Sequence, residues 1–150
     1  MNDVRAITLW QPWAGAIAVL GKDIENRSWR TDYRGPVLIH AGATWDPELP
    51  FESGFFDCPI CLNCGFDCHL CNGVGRITAD RSAFSRRSVV AVATISDCVR
   101  NNQSPWAAKG QWHFVLDDVR AVSPVVPWTK GERGLWTPSA DLVRACGIDQ

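Results

Sequence analysis

The sequence predicts an α/β (α+β) domain in which a mixed sheet of five or six strands carries a few helices and one inserted loop. Two observations favour this fold class. Short alternating or apolar segments bounded by turn residues recur along the chain, with helical patterns between some of them. This periodicity fades over residues 42–87, where five cysteines lie close together. Since 150 residues is the usual size of one domain, we expect a single domain over residues 1–150 with a cysteine-rich insertion over residues 54–76.

The first half of the chain has the pattern of a strand, a helix and two more strands. Apolar and polar residues alternate over residues 4–10, as in a half-buried strand, and a helix is expected over residues 13–20 before Gly21 ends it. Further strands are expected over residues 24–29 and 36–40, on either side of a turn. The sheet therefore begins early in the chain.

Two strands in the second half are expected to lie centrally in the sheet. Residues 88–95 are rich in small and β-branched side chains, which is typical of a buried strand, and residues 112–122 have a similar pattern. Between them, residues 104–109 can form one helical turn with Ser104 as its cap. Near the end, residues 137–147 carry a helix start and a helix stop.

Composition and charge exclude several classes of function. A net charge of −1 provides no global positive field to hold a long duplex by counterion release, so any nucleic-acid site must be local. The longest apolar stretch, residues 13–20, is far shorter than the roughly 20 residues of a membrane helix. The first residues lack the layout of a secretory signal. We therefore expect a soluble cytoplasmic protein with no membrane partner.

The cysteine run has the spacing of a metal site. A Cys-x2-Cys turn lets two thiolates point at one ion, and two such turns make a closed tetrahedral site of the kind that holds structural zinc. We favour Cys58 and Cys61 together with Cys68 and Cys71, because the six residues between these turns let the chain reverse. Cys64 is then spare.

Two alternatives to this ligand set stay open. Cys64 can replace Cys58 as a ligand, although only three residues would then separate the two turns. The first four cysteines of the run, ending at Cys68, also reproduce the bacterial ferredoxin spacing for an iron–sulfur cluster, but no proline follows Cys68. Disulfides are less expected without an export signal. A four-thiolate site is closed to substrate, which indicates a structural rather than a catalytic ion.

Four motifs outside the cysteine run suggest a family. They are LWQPW at residues 9–13, GKDIENR at residues 21–27, RGPVLIHA at residues 34–41 and GQWHFVL at residues 110–116. In this order they resemble the ASCH domain family of the PUA-like superfamily. The resemblance implies a small mixed β-barrel of five or six strands flanked by helices, with a cleft that receives RNA or a modified base in related domains. Since the cysteine run lies outside these motifs, we expect the cleft to be elsewhere in the domain.

The matching residues suit such a cleft. Lys22 and Arg27 can meet a phosphate, Glu25 can accept from a base edge or orient Lys22, and Trp10 can stack on a ring. The alternative for the charged trio is an ion-pair network at the surface or rim. His40 is either a general base or a partner for a backbone group. The expected ligand-binding residues are Trp10, Gln11, Lys22, Glu25, Arg27 and His40.

The resemblance favours a binding module for RNA or a modified nucleobase with a structural zinc, and RNA or a modified nucleotide is the expected partner. The alternative is a metal-independent ribonuclease or nucleoside amidohydrolase that uses Lys22, with Glu25 relaying protons. The amidohydrolases of the family place a threonine near the lysine, whereas this chain has Ile24 and Glu25 there. A third hypothesis gives the zinc element a purely structural or protein-binding role.

Overall fold

The computed structural model describes residues 3–61, 68–79 and 82–149. Within these ranges the chain forms two α-helices, one 3₁₀ turn and eight strands. In chain order they are β1 (Arg5–Gln11), α1 (Trp13–Val19), β2 (Ile24–Arg27), β3 (Gly35–Trp45), β4 (Phe55–Asp57), β5 (Arg76–Thr78), the 3₁₀ turn (Ser82–Phe84), β6 (Ser88–Val99), β7 (Trp112–Pro127), β8 (Leu135–Trp136) and α2 (Ala140–Ala145).

Six strands form one curled, half-barrel sheet in the order β2-β7-β6-β3-β1-β8. β1 and β3 are parallel, and the other neighbours are antiparallel. A parallel pair needs a crossover connection, which α1 and β2 provide here. This mixed sheet with few helices confirms the predicted α+β, PUA-like fold.

Both faces of the sheet are covered. In β3, Ile39 packs in a core cluster with Ile17 of α1, whereas its neighbour Leu38 packs with Leu142 and Val143 of α2. Successive side chains of a strand point to opposite faces, so one strand serves two cores. No helix in the described part of the chain is long and apolar enough to cross a membrane.

The sheet is larger than the local patterns predicted. β3 continues to Trp45 because a register shift in its pairing with β1 aligns Trp45 with Gln11, and β7 continues to Pro127 because register shifts against β6 keep these two strands paired. The two-residue strand β8 was not predicted, since its pairing with β1 leaves no periodic pattern. Ser104 accepts from the backbone N–H of Trp106 at 3.2 Å, but this segment forms hydrogen-bonded turns and not the expected helical turn.

The segment between β3 and β6 is less irregular than expected. β4 and β5 pair as a separate two-stranded sheet, followed by the 3₁₀ turn. The side chains of Phe56, Ile77 and Phe84 pack there with buried cysteines into a small core of their own. Cys58, Cys68 and Cys71 thus lie in the connection between β4 and β5.

Candidate functional site

Two adjoining cavities form a cleft beside α1 and the edge strand β2. The inner cavity has a volume of about 370 Å³, near the lower end of the roughly 300–1,000 Å³ typical of small-molecule sites. Its charged and amide groups come from Lys22, Glu25 and Asn26. The remaining lining is mostly apolar and consists of Trp13, Pro59, Ile60, Pro105, Trp106, Ala107 and Ala108.

The outer cavity, of about 240 Å³, adjoins the inner one, since Trp13, Glu25 and Asn26 line both. Trp10 and Arg27 belong to its lining. The side chain of Trp10 is 51% exposed although it is large and apolar. An exposed indole beside a guanidinium group offers a surface on which a nucleobase can stack.

The charged residues of the cleft form one chain of ion pairs. Lys22 Nζ lies 3.0 Å from Glu25 Oε2, and Arg27 Nε lies 3.1 Å from Glu25 Oε1. Lys22 also donates to the carbonyl of Ile24, and Arg27 donates to the carbonyl of Thr8 at 3.0 Å. Lys22 is 3% exposed and Glu25 is 8% exposed. Because two cations meet one carboxylate, this chain of charges favours a phosphate or another anion.

The backbone at the end of α1 explains why Lys22 is buried. Gly21 has a φ of +74°, a left-handed conformation that glycine adopts without strain, and it follows the last turn of the helix. The N–H of Lys22 then donates to the carbonyl of Ala16 at 3.2 Å. Glu25 and Arg27 are two residues apart in β2, so their side chains lie on the same face.

Asn26 holds the turn that borders the inner cavity, and sequence reasoning did not select it. Its Nδ2 donates to the carbonyl of Trp106, and its Oδ1 accepts from the N–H of Ala108, both at 2.9 Å. This double contact keeps Trp106 packed with Ala16 and Ile24. Its position between Glu25 and Arg27 in the charged motif is the signal by which the sequence could have identified it.

Gln11 and His40, both expected in the cleft, do not line either of its cavities. Both side chains are fully buried. Gln11 donates to the carbonyls of Ala83 and Ser85 at 2.8 and 2.7 Å, and its Oε1 accepts from the N–H of Gly15 at 2.8 Å. Gln11 therefore ties β1 and α1 to the 3₁₀ turn. It supports the backbone that carries Trp10.

His40 belongs to a buried chain of hydrogen bonds. Trp136 Nε1 donates to Thr8 Oγ1 at 3.1 Å, and Thr8 Oγ1 lies 3.1 Å from His40 Nδ1. His40 Nε2 lies 2.6 Å from the carbonyl of Trp128. Since an indole N–H only donates and a carbonyl only accepts, these contacts assign the proton of the neutral ring to Nε2. This arrangement favours the backbone-partner role over that of a general base.

The buried ring predicts acid-sensitive stability. Burial lowers the pKa of His40, although the hydrogen bond to Trp128 opposes this. Between the folded pKa and about pH 6.5, the unfolded chain binds more protons than the folded chain. The free energy of unfolding should therefore decrease as the pH falls from about 6.5 towards the folded pKa. The expected loss is about 1.4 kcal/mol for each unit by which the pKa is lowered.

Urea unfolding of wild type and His40→Gln between about pH 7 and about pH 5 measures this effect. The variant should show a smaller pH dependence, because glutamine can still donate to Trp128 but does not titrate. Equal pH dependence in wild type and His40→Gln would contradict the prediction.

Four of the cysteines meet in one cluster. The sulfur atoms of Cys58, Cys61, Cys68 and Cys71 all lie within 4.8 Å of one another. Cys58 and Cys68 are 3.7 Å apart, and Cys61 and Cys71 are 3.4 Å apart. Zn–S bonds of about 2.3 Å in a tetrahedron give sulfur–sulfur edges of about 3.8 Å. The cluster thus has nearly the size of a four-thiolate metal site and can hold a metal ion.

The hairpin of β4 and β5 holds this cluster in place. The N–H of Cys58 donates to the carbonyl of Gly75 at 2.9 Å, and the N–H of Gly75 contacts the sulfur of Cys71 at 3.3 Å. The N–H of Asn72 donates to the carbonyl of Cys68 at 2.8 Å. These contacts fold both cysteine turns around a common centre.

The thiols differ in how readily they ionise. Burial raises the pKa of Cys58 to about 12, whereas the backbone N–H of Cys71 lowers the pKa of Cys68. A bound cation stabilises thiolates, so metal binding would release the proton that burial retains on Cys58. The donor set therefore fits a thiophilic metal ion.

Cys64 lies outside the described residues. The alternative in which Cys64 replaces Cys58, and the iron–sulfur alternative that uses Cys64, both depend on it and stay predictions. Cys71, which the ferredoxin spacing does not include, is a member of the observed cluster.

The cysteine-rich segment over residues 54–76, here called the cysteine element, borders the cleft. Pro59 and Ile60, which lie between Cys58 and Cys61, line the inner cavity. The cleft at Lys22, which we expected elsewhere in the domain than the cysteine run, therefore adjoins this element. The first cysteine turn reaches α1 and the turn at Trp106 through apolar packing, which the spacing of the cysteines does not reveal.

A curled mixed sheet with a charged cleft defines a small α+β domain, whose four-cysteine cluster can hold a metal ion. The ASCH domain family model matches residues 7–126. The chain therefore belongs to the ASCH domain family, which confirms the resemblance of its motifs. The matched range includes the cysteine cluster. A comparison with curated proteins found no match.

Proposed function

We propose that this protein binds single-stranded RNA or a modified nucleobase in the cleft of Trp10, Lys22 and Glu25. The observation that carries the proposal is a buried lysine in a cavity of about 370 Å³, next to a second cavity that is lined by an exposed tryptophan. RNA recognition commonly combines stacking on an aromatic ring with contacts to phosphates and base edges. Membership of the ASCH family, within the PUA-like superfamily, supports the same ligand class.

The residues suggest a division of roles within the cleft. Trp10 supplies the stacking surface, and Lys22 and Arg27 supply positive charge near the phosphate. Glu25 orients both cations through its two oxygens. Asn26 keeps the Trp106 turn in place as the border of the base pocket.

We also propose that the four-cysteine cluster holds one structural zinc ion, in an insertion at residues 54–76 of a single domain over residues 1–150. Four cysteine sulfur atoms that all lie within 4.8 Å of one another suit a closed tetrahedral zinc site. The inclusion of Cys71 supports zinc over an iron–sulfur cluster with ferredoxin spacing. Native mass spectrometry of purified protein would identify both the ion and any retained nucleotide.

Trp10→Ala should weaken RNA binding and leave the fold intact. Stacking of one base is worth about 1–3 kcal/mol, so affinity for a short labelled single-stranded RNA should fall by about fivefold to a hundredfold. The melting temperature should change little because the indole is half exposed. Fluorescence anisotropy and thermal melting measure the two effects.

Trp10→Phe retains an aromatic ring and should restore most of the affinity. Phe51→Ala removes another exposed aromatic side chain, which follows β3 in the chain and does not line either cavity of the cleft. It serves as a control that should bind like wild type. If Trp10→Ala binds RNA as tightly as wild type, the stacking role of Trp10 is wrong.

The second candidate is a metal-independent ribonuclease or nucleoside amidohydrolase. It is favoured by the position of the buried Lys22 in a cavity with a carboxylate at 3.0 Å, which places two groups of the kinds used in general acid–base catalysis side by side. Turnover of labelled RNA and of an acylated cytidine, with and without a chelator, tests this function. Turnover lost in Lys22→Ala would support an enzyme, whereas binding without turnover would support the binding module.

A further inference from the structure

We propose that the first cysteine turn forms one wall of the ligand cleft and contacts the bound ligand. Metal binding at the cysteines and ligand binding in the cleft are then coupled. The wall consists of Pro59 and Ile60. This inference rests on the proposed function, since it assumes that the cleft binds a nucleobase. It adds a specificity-determining element to that site and gives the metal a role beyond stabilising its own loop.

The position of the wall between two metal ligands is the first part of the argument. Cys58 and Cys61 enclose Pro59 and Ile60, and both cysteines belong to the four-sulfur cluster. An ion held by these two sulfurs fixes the turn at both ends. The path of Pro59 and Ile60 along the inner cavity then depends on the ion.

Apolar packing joins this turn to the rest of the cleft. Ile60 packs against the cluster that contains the cysteines and Phe56, and also against the cluster of Ala16, Ile24 and Trp106. Trp106 lines the same cavity. Ile60 therefore lies in contact with both the metal element and the residues that surround the ligand site.

The coupling must act in both directions. If the ion raises the affinity of the cleft for its ligand, the ligand raises the affinity of the cysteines for the ion by the same factor. The contact surface of the wall is apolar, so it would select the flat, apolar faces of a base and not its phosphate. Lys22 and Arg27 would keep the phosphate contacts.

A ligand-free experiment tests the metal half of the proposal. Two-dimensional NMR spectra of wild type are compared with zinc and after chelation. The indole N–H signals of Trp13 and Trp106 should shift, whereas that of Trp136, which packs with α2 in another core, should not. Unchanged signals of Trp13 and Trp106 would overturn the coupling, and this result does not depend on any ligand.

A binding experiment tests the wall itself. Ile60→Ala, loaded with zinc, should bind a short labelled single-stranded RNA at least about tenfold more weakly than wild type, since loss of apolar contacts in a pocket has effects of this size. Val74→Ala is the matched control, because Val74 lies in the same cysteine element, is 68% exposed and is not part of the cavity lining. It should bind RNA like wild type.

The outcomes separate the two proposals. Weaker binding by Ile60→Ala than by Val74→Ala, with equal zinc content and similar melting temperatures, supports the wall. Equal binding by both variants overturns it while leaving the proposed RNA binding intact. If wild type binds neither RNA nor acylated cytidine, the proposed function fails, and the NMR comparison still decides whether the ion shapes the cavity.

Discussion

Cys58→Ser is expected to abolish stoichiometric zinc binding and to lower the stability of the protein. Cys58 is fully buried in the cluster, and serine is a much poorer zinc ligand than a thiolate. Structural zinc contributes about 10–16 kcal/mol to small zinc-binding peptides. Since this domain also has two cores that do not contain the clustered cysteines, we expect a smaller loss, of about 3 kcal/mol, which would lower the melting temperature by about 6–12 °C in a domain of this size.

Zinc content by mass spectrometry and thermal melting measure these effects. Cys98→Ala is the control, because Cys98 lies in the main core and outside the four-cysteine cluster. It should keep its zinc while losing some packing. Zinc retained at full occupancy in Cys58→Ser would refute the proposed ligand set.

Cys64→Ser distinguishes the alternatives that involve this residue. Under the proposed ligand set, the variant should keep one zinc ion and melt like wild type. Loss of the metal in Cys64→Ser, with retention in Cys58→Ser, would instead support the pairing that uses Cys61 and Cys64. Loss in both, together with iron and sulfide in the purified protein, would support the iron–sulfur alternative.

Lys22→Ala should have the largest effect in the cleft, because it weakens RNA binding and also destabilises the fold by removing an ion-pair partner of the buried Glu25. Glu25 would keep Arg27 as a partner but lose the ammonium group at 3.0 Å. Breaking a buried ion pair costs about 3–5 kcal/mol, and the remaining Arg27 contact places the expected loss near the lower limit. RNA affinity should fall at least about tenfold, the effect of losing a charge-assisted hydrogen bond.

The double variant Lys22→Met with Glu25→Gln separates stability from function. Replacement of both charges avoids an unpaired buried carboxylate and should recover part of the lost stability. It should not recover RNA binding, because the cation is absent. Urea unfolding and fluorescence anisotropy measure the two properties.

Lys130→Ala, at an exposed position, controls for the general loss of a positive charge and should bind RNA nearly as well as wild type. If Lys22→Ala alters neither RNA binding nor turnover of RNA and acylated cytidine, both proposed functions fail. A drop in stability alone would show that the ion pairs serve the fold.

The sheet was predictable in outline because the strand pattern is local. Alternation over residues 4–10 and the β-branched run over residues 88–95 marked β1 and β6 correctly, and Gly21 marked the end of α1. The ends of the long strands were not predictable. β3 continues past its periodic segment because a register shift against β1 pairs Trp45 with Gln11, and β7 does so because register shifts against β6 keep it paired.

Some residues of the candidate site were likewise predictable from short motifs, and the placement of others was not. Lys22, Glu25 and Arg27 are near neighbours in the chain, so their motif by itself indicates a charged group. His40 and Gln11 belong to motifs of the family but are turned into the interior. Their side chains satisfy buried backbone groups, a requirement set by elements distant in the chain.

The cysteine spacing, the charged motif and the alternation of the strands are properties of short segments, and the amino-acid sequence alone was sufficient to identify them. Contacts between distant segments are set by packing, which only the tertiary structure reveals. Asn26 and Trp106 are 80 residues apart, yet one side-chain amide joins them at the cleft. Ile60 likewise reaches Trp106 from the cysteine element. Tertiary packing therefore decided that the four-cysteine cluster and the cleft at Lys22 adjoin each other.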